Sequence, residues 1–211
     1  RAFLDKEGLT ENTIFIFTSD NGGETNVTSN APLRGGKSQL YEGGIRVPLI
    51  VRWPGHVSSA KASDLVFYQP DVLPTISNLC GARIPSDTDG LSIAPTLIGA
   101  EMAGHSQKLH KMLYWEYSSQ VAVRYNQWKA IKTGKGKKAK WVLYDLETDL
   151  SETKDLAKEQ PAILSKMVEF ALKSHQPARP GTFTDPSRTK HNRDRQAKYG
   201  FSAKATQKIN K

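Results

Sequence analysis

The feature that most limits what this chain can fold into is a short apolar run at residues 13–18 (TIFIFT), which ends abruptly in the polar turn SDNGG at residues 19–23. A continuous run of β-branched and aromatic residues is typical of a strand buried on both faces of a parallel sheet. In open α/β sheets, ligands bind beyond the carboxyl ends of the strands. We therefore expect an α/β fold whose chemistry lies at the turn after this strand.

After the SDNGG turn, the spacing of apolar residues along the chain changes. An apolar repeat that starts near Pro70 predicts a helix capped by Gly81, and residues 94–98 predict a short helix. Runs rich in aromatic and branched residues then predict a small antiparallel sheet, and an apolar repeat predicts one amphipathic helix that covers it. The predicted strands are 47–51 in the first part and 112–117, 121–125, 128–132 and 141–146 in the second, and the covering helix is 161–174.

These patterns predict three segments. Residues 1–108 are the carboxyl-terminal part of an α/β domain, residues 109–180 are the small sheet with its helix, and residues 181–211 are a basic, disordered tail. The first residues, 2–8, resemble the last turns of a helix, so we expect the chain to be a fragment of a longer protein. A hydrophobic content of 37%, with 16 Gly and 11 Pro, excludes collagen-like and wholly disordered classes.

The formal net charge of +9 is local rather than spread over the chain. Residues 186–211 contain eight Lys or Arg and one Asp, and four further lysines lie within residues 135–140, so the remainder is close to neutral. A solvated loop and a disordered end account for this distribution. A module that binds polyanions through these segments is the alternative.

The turn and the loop that follows it contain the candidate site residues. Asp20 and Asn21 offer oxygen atoms suited to a hard divalent cation, or alternatively form an Asx turn with the glycines beside them. Lys37 follows two glycines, as in a phosphate-binding loop, but Ala31 stands where that pattern requires its first glycine. Lys37 is therefore either an anchor for another tetrahedral oxyanion or an ordinary exposed lysine.

A series of motifs follows in a fixed order along residues 1–175. The order SDNGG, LRGGK, YEGGIRVP, WPG, QPDVLPT, DGLS and LYDL strongly resembles the formylglycine-dependent sulfatase family, of the arylsulfatase or N-acetylgalactosamine-6-sulfatase type. The resemblance is to the carboxyl-terminal half of that family. It implies the end of an alkaline-phosphatase-like sheet with flanking helices, followed by the small antiparallel sheet.

The resemblance implies a role for each candidate residue. Asp20 and Asn21 look like ligands of an active-site Ca²⁺, with Mg²⁺ as the other possibility, and Lys37 looks like the lysine that contacts the sulfate. Residues 33–41, which contain Lys37, are called the lysine loop. Glu42 and Arg46 either support this loop through a salt bridge or form a plain helix ion pair.

In the family, the nucleophile is a formylglycine made within a Cys/Ser-x-Pro-x-Arg motif. This chain lacks the motif, so the formylglycine is expected in an upstream half. Cys80, in the sequence NLCGAR, is expected to be a buried helix cysteine.

The function implied is hydrolysis of a sulfate ester, of a sulfated sugar or an aryl sulfate, by an enzyme of which this chain alone is inactive. A phosphodiesterase-like relative on the same scaffold is an alternative that Asn21 disfavours, and the polyanion-binding module is another. Neither a membrane segment nor a nucleic-acid partner is expected. A periplasmic, secreted or lysosomal location follows from the resemblance alone, and the oligomeric state stays open.

Overall fold

The structure is a computed structural model, and it describes residues 1–134 and 136–177. Arg1–His175 form one unit, and Gln176–Lys211 form a second. The expected disordered tail at residues 181–211 lies outside the described residues, and the predicted division at residue 108 stays a prediction. The helices and strands are α1 Ala2–Lys6, β1 Phe15–Thr18, α2 Glu42–Ile45, β2 Leu49–Arg52, α3 Val72–Leu79, α4 Ala94–Ile98, α5 Ala100–Ala103, β3 Leu113–Tyr117, β4 Gln120–Tyr125, β5 Trp128–Thr133, β6 Lys140–Asp145 and α6 Pro161–Ser174.

The first sheet is a two-stranded antiparallel ribbon. β1 pairs with β2 from Phe15 opposite Arg52 to Thr18 opposite Leu49. The expectation of a parallel strand buried on both faces is wrong for the described part of the chain, where Phe15, Ile16 and Phe17 are exposed. An apolar run indicates that a strand is suited to burial. It determines neither the direction of the partner strand nor which element buries it.

The helices between the two sheets pack around a small apolar cluster. Leu79 of α3, Ala94 of α4 and Ala103 of α5 form its buried centre. Both predicted helices are confirmed: a 3-10 turn, Gln69–Asp71, leads into α3, and Gly81 follows α3 with a φ of 66°, in the left-handed region that favours glycine.

Cys80 departs from the expectation of a buried cysteine, because it is exposed. It occupies the C-cap of α3, just beyond the last helical residue. The helix buries Pro74, Thr75 and Leu79, and the cap position does not share that buried environment.

The second sheet is antiparallel, with its strands in the order β3-β4-β5-β6. Alternate residues point to opposite faces. One face packs on α6, which confirms the predicted cover, and its buried centre consists of Val123, Ala130, Leu143, Met167 and Ala171. The other face packs on the segment that follows Lys37, and its buried centre consists of Leu40, Ala122, Ile131, Val142 and Tyr144.

The sheet is therefore covered on both faces, by a helix on one and by the lysine loop on the other. The mixed helix and strand composition agrees with the expected fold class. Every helix in the described part of the chain falls short of the length and apolarity that crossing a membrane requires.

Candidate functional site

Three pairs of glycines pack against one another and bring the SDNGG turn to the lysine loop. They are residues 22–23, 35–36 and 43–44. The N–H of Gly22 donates to the carbonyl oxygen of Gly44 at 2.9 Å, and the N–H of Gly43 donates to the carbonyl oxygen of Arg34 at 2.8 Å. A Cβ on Gly22 would overlap the carbonyl oxygen of Gly43. The glycines are needed here because the backbones approach too closely for any side chain.

The same contacts place Lys37 beside the turn. Its N–H donates to the carbonyl oxygen of Gly23 at 3.1 Å. Asp20, Asn21 and Lys37 all line one open depression, and Asp20 and Lys37 are exposed. The structure therefore brings together the two segments that carry these three residues.

The charged groups of this site have few partners within residues 1–134 and 136–177. The Asp20 carboxylate has one long contact, with the Ser19 hydroxyl at 3.5 Å, and the ammonium group of Lys37 makes no hydrogen bond or ion pair there. Neither Asp20 nor Asn21 uses its side chain to bond the backbone of the turn, as an Asx turn would require. Instead, the hydroxyl of Ser19 donates to the carbonyl oxygen of Asn21 at 2.8 Å.

The donor atoms of Asp20 and Asn21 suit a hard divalent cation, because both are oxygens. They are an incomplete ligand set. Ca²⁺ takes six to eight oxygen ligands, and no group of three or more His, Cys, Asp or Glu able to hold a metal occurs among the residues that the structure describes. A cation at this turn would need further ligands from elsewhere.

Glu42 lies at the centre of a buried charge cluster. The ammonium of Lys129 lies 2.7 Å from Glu42 Oε1 and 3.0 Å from Glu152 Oε1, and Glu152 Oε2 accepts the N–H of Glu42 at 2.7 Å. Burial raises the pKa of Glu152, although Lys129 acts in the opposite direction. Arg46, the predicted partner of Glu42, lies one helical turn further along the chain. Its Nη1 is 3.6 Å from Glu42 Oε2, and half of its side chain is exposed. The main counter-ion of Glu42 is therefore Lys129.

Lys129 and Glu152 were not predicted from the sequence, and they are 87 and 110 residues away from Glu42. One signal was present for Lys129. It alternates with Ile131 in β5, so it points to the same face as an apolar residue that is fully buried. A lysine at such a position is seldom buried without a partner.

Two more side chains join the lysine loop to the second sheet. Arg34 donates from Nη1 to the hydroxyl of Tyr144 at 3.1 Å and to the carbonyl oxygen of Glu152 at 2.7 Å. Gln120 accepts the N–H of Leu40 and donates to the carbonyl oxygen of Ser38, both at 3.2 Å. The backbone on either side of Lys37 is thus held by the sheet.

Comparisons with known proteins identify the family to which this chain is similar. The family model described as N-sulphoglucosamine sulphohydrolase, C-terminal, matches residues 36–176. Human arylsulfatase A is 38% identical over 135 residues, which cover 62% of this chain and 25% of that protein. An N-acetylgalactosamine-6-O-sulfatase of Bacteroides thetaiotaomicron is 33% identical over 194 residues, which cover 79% of this chain and 37% of that protein.

Among solved structures, Ps i-CgsB in complex with k-i-k-neocarrahexaose superimposes with a TM-score of 0.68 at 30% identity. The match covers 88% of this chain and 42% of that one. The chain spans about a quarter to two fifths of the length of these relatives.

Proposed function

Because this chain belongs to the sulfatase family and corresponds to its C-terminal portion, we propose that the protein to which it belongs hydrolyses sulfate esters of sulfated sugars or aryl compounds. The observation that carries the proposal is the packing of the SDNGG turn against the lysine loop. The hydrogen bond from the Lys37 N–H to the Gly23 carbonyl oxygen joins the two segments that carry Asp20, Asn21 and Lys37, and all three residues line the same wide, open depression. These groups lack strong partners within the described part of the chain, which leaves them available to a ligand.

The residue types suit a sulfate ester. Such an ester is a tetrahedral anion, and negative charge develops on the departing oxygen as the S–O bond breaks. In this proposal, the ammonium of Lys37 binds the sulfate and stabilises that charge, since a fixed cation is most effective where charge develops in the transition state. Asp20 and Asn21 would hold Ca²⁺ or Mg²⁺, and a bound divalent cation would withdraw charge from the sulfate oxygens.

The nucleophile in this proposal, a formylglycine, lies outside these 211 residues, because the chain contains no Cys/Ser-x-Pro-x-Arg motif. Isolated Arg1–Lys211 should therefore fail to turn over a sulfate ester. The role of this chain is to bind and orient the sulfate and to supply part of the cation site.

A sulfated sugar is the favoured substrate class. One relative is named for a sulfated N-acetylgalactosamine, and the solved structure of Ps i-CgsB is a complex with k-i-k-neocarrahexaose. A phosphodiesterase-like activity is less favoured because such relatives usually place Asp and His among their metal ligands, and Asn21 is neither. The basic tail, on which a polyanion-binding module would depend, lies outside the described residues.

The test is alanine substitution in the full-length protein. Lys37→Ala should lower kcat on an aryl sulfate about 10²–10³-fold with the fold retained, as expected for loss of one group that stabilises transition-state charge. Asp20→Ala should lower both the bound divalent metal and the turnover. Exposed Lys6 and Asp87 provide matched controls, Lys6→Ala and Asp87→Ala, which should leave turnover and metal content unchanged. Parent kinetics in Lys37→Ala, or full metal content in Asp20→Ala, would remove that residue from the site.

A further inference from the structure

The side chain of Asn30 joins the two segments that carry the candidate site. Its Oδ1 accepts the N–H of Gly23 at 2.9 Å, and its Nδ2 donates to the carbonyl oxygens of Gly23 at 2.9 Å and Gly35 at 3.1 Å. Gly23 lies three residues after Asp20 and two after Asn21, and Gly35 lies two residues before Lys37. One amide therefore bonds both the turn of the carboxylate and the loop of the lysine.

The backbone groups around the Asn30 amide are closely packed as well as hydrogen bonded. The carbonyl oxygen of Gly23, which receives the Asn30 amide, also accepts the N–H of Lys37 at 3.1 Å. A Cβ on Gly36 would lie 2.5 Å from that oxygen and 2.7 Å from Asn30 Nδ2. Because no space separates these groups, a displacement of the Asn30 amide would be transmitted directly to the backbone of Lys37.

The three partners of Asn30 require an amide. Two of them are carbonyl oxygens, which need N–H donors, and one is an N–H, which needs an acceptor. An ionised aspartate has no donor, so it would bond the Gly23 N–H but would repel the two carbonyl oxygens. Alanine would remove all three hydrogen bonds.

We propose that Asn30 is a positioning residue, which fixes the distance between the Asp20-Asn21 turn and the ammonium of Lys37. The inference rests on the proposed function, because it concerns the site that holds the cation and the sulfate. Asn30 reaches this site only through the backbone of Gly23 and Gly35. Its effect should therefore appear in turnover and in cation affinity rather than mainly in stability.

The experiment uses the full-length protein with Asn30→Ala and Asn30→Asp, the second being nearly the same shape. Asn26→Ala is the matched control, because Asn26 lies in the same loop, is exposed and, within residues 1–134 and 136–177, bonds only the side chain of Glu24. The measurements are kcat and KM on an aryl sulfate, expressed per folded molecule, Ca²⁺ affinity by titration calorimetry, and Tm.

We expect kcat to fall about 10–100-fold in both Asn30 variants and Ca²⁺ affinity to fall by a similar factor in Asn30→Ala, as is typical for groups that orient a metal site. Asn26→Ala should match the parent. With Ca²⁺ at saturation, so that weaker cation binding does not affect the rate, a double variant, Asn30→Ala with Lys37→Ala, should be little slower than Lys37→Ala alone, because a misplaced lysine and an absent one have the same consequence.

Parent kcat in either Asn30 variant, or a lowered Tm with parent kcat per folded molecule, would overturn the inference, and so would fully additive effects in the double variant. The proposed function fails separately. In that case the parent protein itself would show neither sulfate-ester turnover nor Ca²⁺ binding.

Discussion

The glycine-rich segment, residues 19–44, and the four-stranded sheet, β3 to β6, are held together by opposite means. The sheet has apolar side chains on both faces, buried by α6 on one side and by the lysine loop on the other. The glycine-rich segment has exposed polar side chains and is joined by hydrogen bonds between closely packed backbones. Burial therefore stabilises one region, while close polar contacts set the geometry of the other.

The link between the two regions is the buried charge cluster of Glu42, Lys129 and Glu152. It contributes a carboxylate from the segment after Lys37, a lysine from the sheet and a second carboxylate from the turn after β6. Buried ions are tolerated only when they are paired, so this link is specific to one arrangement of the two regions. Substitutions in three places can separate what each contributes to stability. They are the charge cluster, the apolar side chains of the two sheets, and the turn after β6.

The largest effect is expected for Lys129→Ala. It leaves Glu42 and Glu152 buried next to each other, with only the half-exposed Arg46, 3.6 Å from Glu42, as a counter-ion, which should lower the free energy of unfolding by about 3–5 kcal/mol. Lys173→Ala is the matched control, because Lys173 is an exposed lysine that also pairs with a glutamate, and it should be indistinguishable from the parent. Urea denaturation of each variant measures the difference. Equal stabilities would mean that the cluster does not join the two regions.

The same Ile→Ala change should lower the free energy of unfolding more in the second sheet than in the first, and this difference should be smaller than the effect of Lys129→Ala. Ile131→Ala removes a fully buried side chain from the second sheet and should cost about 2–5 kcal/mol. Ile50→Ala makes the same change in β2, where the side chain is 57% exposed, and should cost about 1 kcal/mol or less. Urea denaturation of the 211-residue chain provides both values. A cost at Ile50 as large as that at Ile131 would show that the ribbon is a core in its own right.

The smallest effect should come from the turn that delivers Glu152, and it should depend on pH. Burial acts to raise the pKa of Asp149, but hydrogen bonds from the N–H groups of Lys154 and Thr153 outweigh it, so the pKa is lowered from 3.8. The ionised carboxylate therefore stabilises the folded state above pH 3.8, and this contribution is lost as the pH falls through the lowered pKa. The parent should be slightly more stable than Asp149→Asn at pH 6, and the two should converge as the pH falls through the lowered pKa of Asp149.

A difference between parent and Asp149→Asn that stays constant from pH 6 to pH 2 would contradict this account, because it would not arise from ionisation. The free energy of unfolding from urea denaturation at each pH supplies the comparison.

Elements with a clear local pattern were predictable from sequence. The predicted helix at residues 161–174 coincides with α6, and the four strands of the second sheet differ from prediction by one residue or so at their ends. Their period of apolar residues reports which face is buried. The family was predictable as well, because the ordered motifs are specific in combination, and the match over residues 36–176 confirms it.

The errors and omissions have a common physical cause. The direction of β1 and the exposure of Cys80 depend on what packs nearby, which the local pattern does not contain. The same holds for Asn30, whose partners lie five and seven residues away across a turn. The roles of Asp20, Asn21 and Lys37 remain predictions, although the structure brings these residues to one depression.

The order of residues along this chain by itself determined helices α3, α4 and α6, the strands of the second sheet, the glycine turns and the family, because each is encoded by neighbours within a few positions. Only the tertiary structure decided that Glu42 pairs mainly with Lys129, that Glu152 joins them, and that one asparagine connects the turn to the lysine loop. The physical reason is that a charge or an amide has no preferred partner until folding removes water around it. The partner is then whichever group the packed backbone brings within hydrogen-bond distance.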